Sequence, residues 1–359
     1  MAELKSVFTA LALALAASAC ASSQSGPPAS RTLQPEVLPV AEQSFIPING
    51  TSQWVTISGA DRRNPVVLFL HGGPGNPLSP YSRSLFGGWT QDFTIVQWDQ
   101  RGAGRTFGRN PQTANAQLTI DLMADDGIEV AEYLKRHLGA DKILLVGGSW
   151  GSALGMHMVK RRPDLFHLYV GVGQLVGEKE NLASTVARLS ALAEAAGDQP
   201  TLTALAALGP PPWTNPRNFG ILGRLTRPYE ARAADAAPSS WWVPDPAYAT
   251  PSYEAEYEAG EDYSYLQFVG ASGNGLLAAV NLRLLGPWFD VPIHLVQGAD
   301  DLVTTPDVAH AWFDTIEAPQ KDYVLIPRTG HDPNSAALAA VRAILDEHVD
   351  QVRGSGRAN

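Results

Sequence analysis

The sequence predicts an α/β fold, with a mainly parallel central sheet flanked by helices and broken once by a helical insertion. Two observations carry this. Short apolar runs alternate with stretches of helical periodicity along most of the chain, and the alternation lapses between Val176 and about Pro287, where Ala-rich helical pieces take over. A chain of 359 residues with 45% hydrophobic content can bury the large core that such a sheet needs.

In chain order the first element is a leader. "MAELKSVFTALALALAASAC" has one lysine, an apolar stretch from about Val7 to Ala17 and small residues before Cys20, which reads as a signal peptide over residues 1–20 and is too short to span a bilayer. Cys20 is the sole cysteine, so no disulfide framework is possible. The segment resembles a bacterial lipoprotein signal whose cysteine is lipidated, although "ASA" also suits a secretory peptidase cutting before Cys20. The expectation is an exported bacterial protein, periplasmic or membrane-anchored, touching the membrane only through Cys20. Residues 21–45, rich in Ser, Pro and Ala, read as a flexible tether.

The sheet is expected from "WVTIS" (54–58), "VVLFL" (66–70), "FTIVQW" (93–98), "ILLVG" (143–147), "LYVGVG" (168–173), "IHLVQG" (293–298) and "YVLIP" (323–327). The first run alternates in polarity and suits an antiparallel edge strand. Helical periodicity marks residues 121–138, 150–161, 307–316 and 335–352. The core is therefore expected over 46–175 and 288–352, with a helical lid over 176–287 and a tail over 353–359.

Four strand ends carry chemistry. "ILLVGGSWG" sets Ser149 in G-x-S-x-G between a strand and a helix, a sharp turn that lifts the hydroxyl above the sheet. The following helix directs free N–H groups at the place where an oxyanion would form, and Trp150 N–H is one donor. "HGGPG" (71–75) ends an earlier strand, and its bare backbone suits the second donor, assigned by position to Gly73. His71 anchors that loop. Of the eight histidines, His331 alone lies just past the last strand and before the last helix, where a general base belongs. Asp300 and Asp301 both follow "IHLVQG"; Asp301 is favoured as the orienting carboxylate and Asp300 as a turn cap. The order Ser149, Asp301, His331 is that of α/β-hydrolases.

With "HGGPG", "DQRGAGR" (99–105), "GGSWG" (147–151), "GADD" (298–301) and "GH" (330–331) in this order, the chain resembles the proline iminopeptidase family. The resemblance implies an α/β-hydrolase serine peptidase that releases N-terminal residues from small peptides, with lid carboxylates holding the substrate's amino group. Glu254, Glu258 and Glu261 in "YEAEYEAGEDYSYLQF" (253–268) stand along one helical face, either for that role or as a solvated acidic face. The lid lacks the Trp-Glu and Glu-Asn-His segments of proline-specific members. Asp99 and Arg101 are expected to form a buried pair under the site.

A net charge of −10 argues against nucleic acid and anionic membrane as partners. No metal or other cofactor is implied, since no H-E-x-x-H or Cys/His cluster occurs. The partner is a small peptide or a small-molecule amide or ester, and nothing in the sequence bears on oligomeric state. Two further readings stand beside the aminopeptidase: an esterase or non-peptide amidase on the same triad, and a non-catalytic binding lipoprotein.

Overall fold

The computed structural model describes residues 37–111 and 117–355. The leader, the lipidation expectation at Cys20 and residues 21–36 of the tether lie outside the described residues. Among the described residues no helix is long and apolar enough to cross a membrane.

Eight strands form one sheet: β1 (Val40–Ile48), β2 (Thr51–Gly59), β3 (Val66–Leu70), β4 (Thr94–Trp98), β5 (Ile143–Gly148), β6 (Phe166–Val172), β7 (Ile293–Gly298) and β8 (Lys321–Ile326), in the order β1-β2-β4-β3-β5-β6-β7-β8. β1 and β2 are antiparallel, β2 joins β4 antiparallel, and every later pairing is parallel. All five residues of β3 and of β4 are buried, as expected of strands covered on both faces.

The first hairpin corrects two expectations. Residues 40–45 belong to β1 rather than to the tether, and β1, not the run at 54–58, is the edge. The turn is Asn49-Gly50, with φ of 43° and 76°, the left-handed pair that a two-residue hairpin requires.

The helices are α1 (Ser82–Phe86), α2 (Gly104–Arg109), α3 (Ile120–Leu138), α4 (Trp150–Arg161), α5 (Glu178–Ala196), α6 (Gln199–Leu208), α7 (Arg217–Ala233), α8 (Pro251–Val269), α9 (Leu276–Ala279), α10 (Pro306–Phe313) and α11 (Ser335–Ser355). Alternate strand residues feed two cores. Leu68 and Leu145 join Met123, Leu154 and Trp312 under α3, α4 and α10, while Phe69 and Val146 join Phe86, Val341 and Leu345 under α1 and α11. Helix α11 runs past Val352, where the core was expected to end. Helices α5 to α9 lie between β6 and β7 and form the lid, and a third apolar cluster ties Leu189, Trp213, Leu222 and Tyr229 of the lid to Leu302 of the core.

Gly147 and Gly151 of "GGSWG" are required by close packing. A Cβ at Gly151 would stand 2.2 Å from Leu70 O, and one at Gly147 would stand 2.3 Å from Gly151 O. Helix α4 thus rests its first turn on the ends of β3 and β5. Gly151→Ala is expected to cost about 3 kcal/mol, because the obstacle is backbone that cannot turn aside; urea titration should show the midpoint fall, and an unchanged midpoint would refute the contact.

Candidate active site

Ser149 sits on the turn between β5 and α4 with φ 52° and ψ −120°, a conformation rarely taken by residues other than glycine. Its Oγ is 2.9 Å from His331 Nε2. His331 lies on the loop between β8 and α11, and its Nδ1 is 3.0 Å from Asp301 Oδ2 and 3.2 Å from Oδ1. Asp301, on the loop after β7, is wholly buried. Its Oδ1 accepts from Val303 N and Thr304 N at 2.8 Å each. Its Oδ2 accepts from Thr304 Oγ1 at 2.7 Å and Gln297 Nε2 at 3.0 Å. Of the two acids left open, Asp301 is therefore the one that meets His331. Gly173, at the end of β6, leaves room for the group: a Cβ there would lie 3.4 Å from Asp301 Oδ2 and 3.6 Å from His331 Cε1.

Burial opposes the His331 imidazolium, but the charge and hydrogen bond of Asp301, with the charges of Glu230 and Asp332, outweigh it and raise the pKa to about 9. Burial likewise opposes the Asp301 carboxylate, and His331, Thr304 and Val303 N hold its pKa below the usual value.

The loop after β3 lies against the serine, since a Cβ at Gly72 would be 3.2 Å from Ser149 Cβ. Gly73 has φ 105°, a region that favours glycine. Neither Gly73 N–H nor Trp150 N–H has an acceptor among the described residues. His71 anchors this loop. It is buried, its Nδ1 donates to Gly72 O at 2.8 Å, its Nε2 accepts from Gln100 N at 3.2 Å, and burial pushes its pKa down to about 4, so it stays neutral. Gln100 extends the tie, donating to His71 O at 3.0 Å and accepting from Trp150 Nε1 at 3.0 Å. The sequence reading passed over Gln100, although it stands inside "DQRGAGR".

Asp99 and Arg101 do not pair. Arg101 reaches across to α3, its Nε 2.7 Å and its Nη2 3.0 Å from the Asp126 carboxylate. Asp99 instead takes the hydroxyl of Ser79 and the N–H of Arg105, and burial lifts its pKa to about 7. Each side chain is thus engaged by a partner other than the one expected.

Above the serine lies a cavity of about 580 Å³, lined mainly by apolar side chains and by Ser149, His331, Gly72 and Gly73. Three expected substrate ligands do not line it: Glu254, Glu258 and Glu261 are exposed. Helix α8 buries Tyr253, Gly260, Tyr263 and Ser264 towards the core. Ser264 Oγ bonds Gly102 O at 2.7 Å, which turns the acids outward. Glu261 alone approaches the site, accepting from the cavity-lining Asn76 at 2.7 Å.

The cavity's buried carboxylate is Glu178, at the start of α5, which is 6% exposed. Burial raises its pKa. Asn181 lies on the same wall; its Oδ1 accepts from the N–H groups of Val176 and Gly177, while its buried Nδ2 has no partner. Glu178 looks like an ordinary acid of a helix's first turn, but it opens the first helix after β6, whose carboxyl end at Val172 belongs to the edge where sites of open parallel sheets gather. Glu230 of α7 is a second missed residue. Its Oε1 accepts from Leu302 N at 2.6 Å, next to Asp301, and its side chain would be 3.3 Å from a Cβ at Gly330, next to His331. The lid thereby braces both loops that bear the acid and the base.

Chemically, the arrangement can pass the Ser149 proton to His331 and receive negative charge at two backbone amides. Among the described residues no group of three or more His, Cys, Asp or Glu side chains is placed to hold a metal ion.

Comparison with known proteins agrees with this fold. A model of the alpha/beta hydrolase fold matches residues 65–335. A probable aminopeptidase of Bacillus subtilis, YbaC, is 28% identical over 323 residues, covering 88% of this chain and 98% of its own. A probable proline iminopeptidase of Streptomyces coelicolor is 28% identical over 335 residues, with the same two coverages, 88% and 98%. The crystal structure of a Mycobacterium smegmatis proline iminopeptidase superposes with a TM-score of 0.59 at 20% identity, covering 86% of this chain and 98% of that one.

Proposed function

The chain belongs to the alpha/beta hydrolase fold family, and from that premise we propose that it is a serine hydrolase of the proline iminopeptidase kind, an aminopeptidase that cleaves an amide bond next to a free amino group. The observation that carries the reading is the unbroken chain Ser149 Oγ, His331, Asp301 opening on a cavity whose buried carboxylate is Glu178.

The steps follow from the geometry. Ser149 Oγ attacks the carbonyl carbon as its proton moves to His331 Nε2, and the oxyanion is received by the N–H groups of Gly73 and Trp150. Asp301, fixed by four donors besides His331, keeps Nδ1 protonated and Nε2 free to accept. The His331 imidazolium gives its proton to the leaving nitrogen, the C–N bond breaks, and an acyl-serine remains. Water then attacks with His331 again as base, releasing the acid and restoring the Ser149 hydroxyl. Glu178 pairs with the substrate ammonium, whose charge compensates the cost of burying the carboxylate.

The relatives named aminopeptidase and proline iminopeptidase support the substrate class. The test compares alanyl- and prolyl-p-nitroanilide with their N-acetyl forms. Acetylation is expected to lower kcat/KM by about 10- to 100-fold, the scale of one buried charge-assisted hydrogen bond. Glu178→Gln is expected to lower kcat/KM of the free amines over the same range and to shrink their advantage over the acetylated forms. Equal turnover of free and acetylated substrates would overturn the aminopeptidase reading and leave an esterase or non-peptide amidase.

A further inference from the structure

Resting on the proposed cleavage of an amide next to a free amino group, we infer that the cavity has a second, apolar lobe for the leaving side of the scissile bond, so that aminoacyl amides of bulky apolar amines are preferred to dipeptides.

The cavity has two walls. The lid wall carries Glu178 and Asn181 among apolar side chains such as Leu182 and Leu222. The other is built from Phe69, Leu78, Leu85, Phe86, Val146 and Leu338, which belong to or pack on the core layer under α1 and α11. The charged residues of the lining, Glu178, Arg227, His331 and Asp332, come from α5, α7 and the loop after β8, and none comes from this second wall. Tyr81 and Trp242, stacked edge-to-face at 5.5 Å, complete the lining on that side.

The chemistry of a peptide does not suit this wall. Beyond the scissile bond a peptide brings amide groups and a C-terminal carboxylate, and each costs free energy when it leaves water without a partner. An alkyl or aryl group gains from the same transfer. Because Glu178 holds the amine on the acyl side, the apolar wall is left to the departing amine. The volume of about 580 Å³ lies in the range of sites that enclose a drug-sized ligand, more than an aminoacyl group alone fills.

The experiment measures kcat/KM for alanyl-methylamide, -butylamide and -hexylamide, which share one leaving-group chemistry, and for alanyl-alanine. A rise of roughly two- to fourfold per methylene is expected, with the hexylamide ahead of the dipeptide. Leu338→Trp, which fills the lobe from a partly buried position, should flatten the series, and Leu85→Ala should move its optimum to longer chains. A flat wild-type series, or a dipeptide as good as the hexylamide, overturns the lobe. Calorimetric titration with 2-naphthol, a neutral apolar probe, separates the two readings. Binding that weakens at least about tenfold in Leu338→Trp, in a protein that cleaves no aminoacyl amide, keeps the lobe and removes the aminopeptidase. Size-independent cleavage with naphthol affinity unchanged in the variant does the reverse.

Discussion

Ser149→Ala is expected to fold like the wild type and to lose turnover by about 10⁴-fold or more, together with all fluorophosphonate labelling. The fold should hold because the substitution touches no backbone bond. Ser149 N still donates to Val172 O at 2.9 Å, and Ser152 N still donates to Ser149 O at 2.9 Å. Alanine also bears the same strain as serine at φ 52°, so stability should change by no more than about 1 kcal/mol. Among the described residues, the hydrogen bond removed is that to His331 Nε2 at 2.9 Å. Without Oγ no acyl-serine forms, and what remains is water attack aided by the oxyanion donors. A variant that labels or turns over at the wild-type rate would show that the nucleophile lies elsewhere, and with it the whole assignment of base and acid would fail.

Ser149, His331 and Asp301 were legible because each sits at the end of an apolar run that can be counted in the sequence. A parallel sheet brings its carboxyl ends to one edge, so three distant residues become neighbours by topology alone. The choice between Asp300 and Asp301 was decided by the turn after β7, which hands the Asp301 carboxylate two backbone N–H groups, whereas Asp300 is tied through its own N–H to Thr329 O at 2.9 Å. The lid was legible as helical but not as a surface. On α8 the periodicity groups Glu254, Glu258 and Glu261 on one face, yet nothing in that pattern says which face meets the cavity; Gly260 and Ser264, small enough to pack on the backbone at Gly102, settle it against the acids. Glu178 went unseen because one acid among "GEKEN" carries no sign of burial. The first hairpin was hidden by Glu42 and Gln43, which made residues 40–45 of β1 read as tether despite the Asn49-Gly50 turn signal.

Asp301→Asn should retain the fold and lose about 10⁴-fold in kcat, and the reason lies in which atom of the new amide can face which partner. The Oδ1 position receives two backbone N–H groups that cannot rotate, so the asparagine oxygen must take it. The amide nitrogen then falls at the Oδ2 position, facing His331 Nδ1, Gln297 Nε2 and the Thr304 hydroxyl. Thr304 can turn its hydroxyl to accept, and His331 can accept at Nδ1 only by giving up the proton there. Facing a donor, His331 presents an unprotonated Nδ1 and carries its proton on Nε2, the atom that must take the proton of Ser149. The pH dependence carries a separate sign. In the wild type His331 must be neutral to act as base, and with its pKa raised to about 9 it is largely protonated at pH 7, so kcat/KM should climb with pH on an acid limb above 7. The groups facing the ring are Asp301 on the loop after β7, Glu230 on α7 and Asp332 on its own loop. Removing the Asp301 charge leaves burial opposed only by the other two, and the limb should move to lower pH in the residual activity of Asp301→Asn. A limb that stays in place would mean that Asp301 does not set the charge of His331.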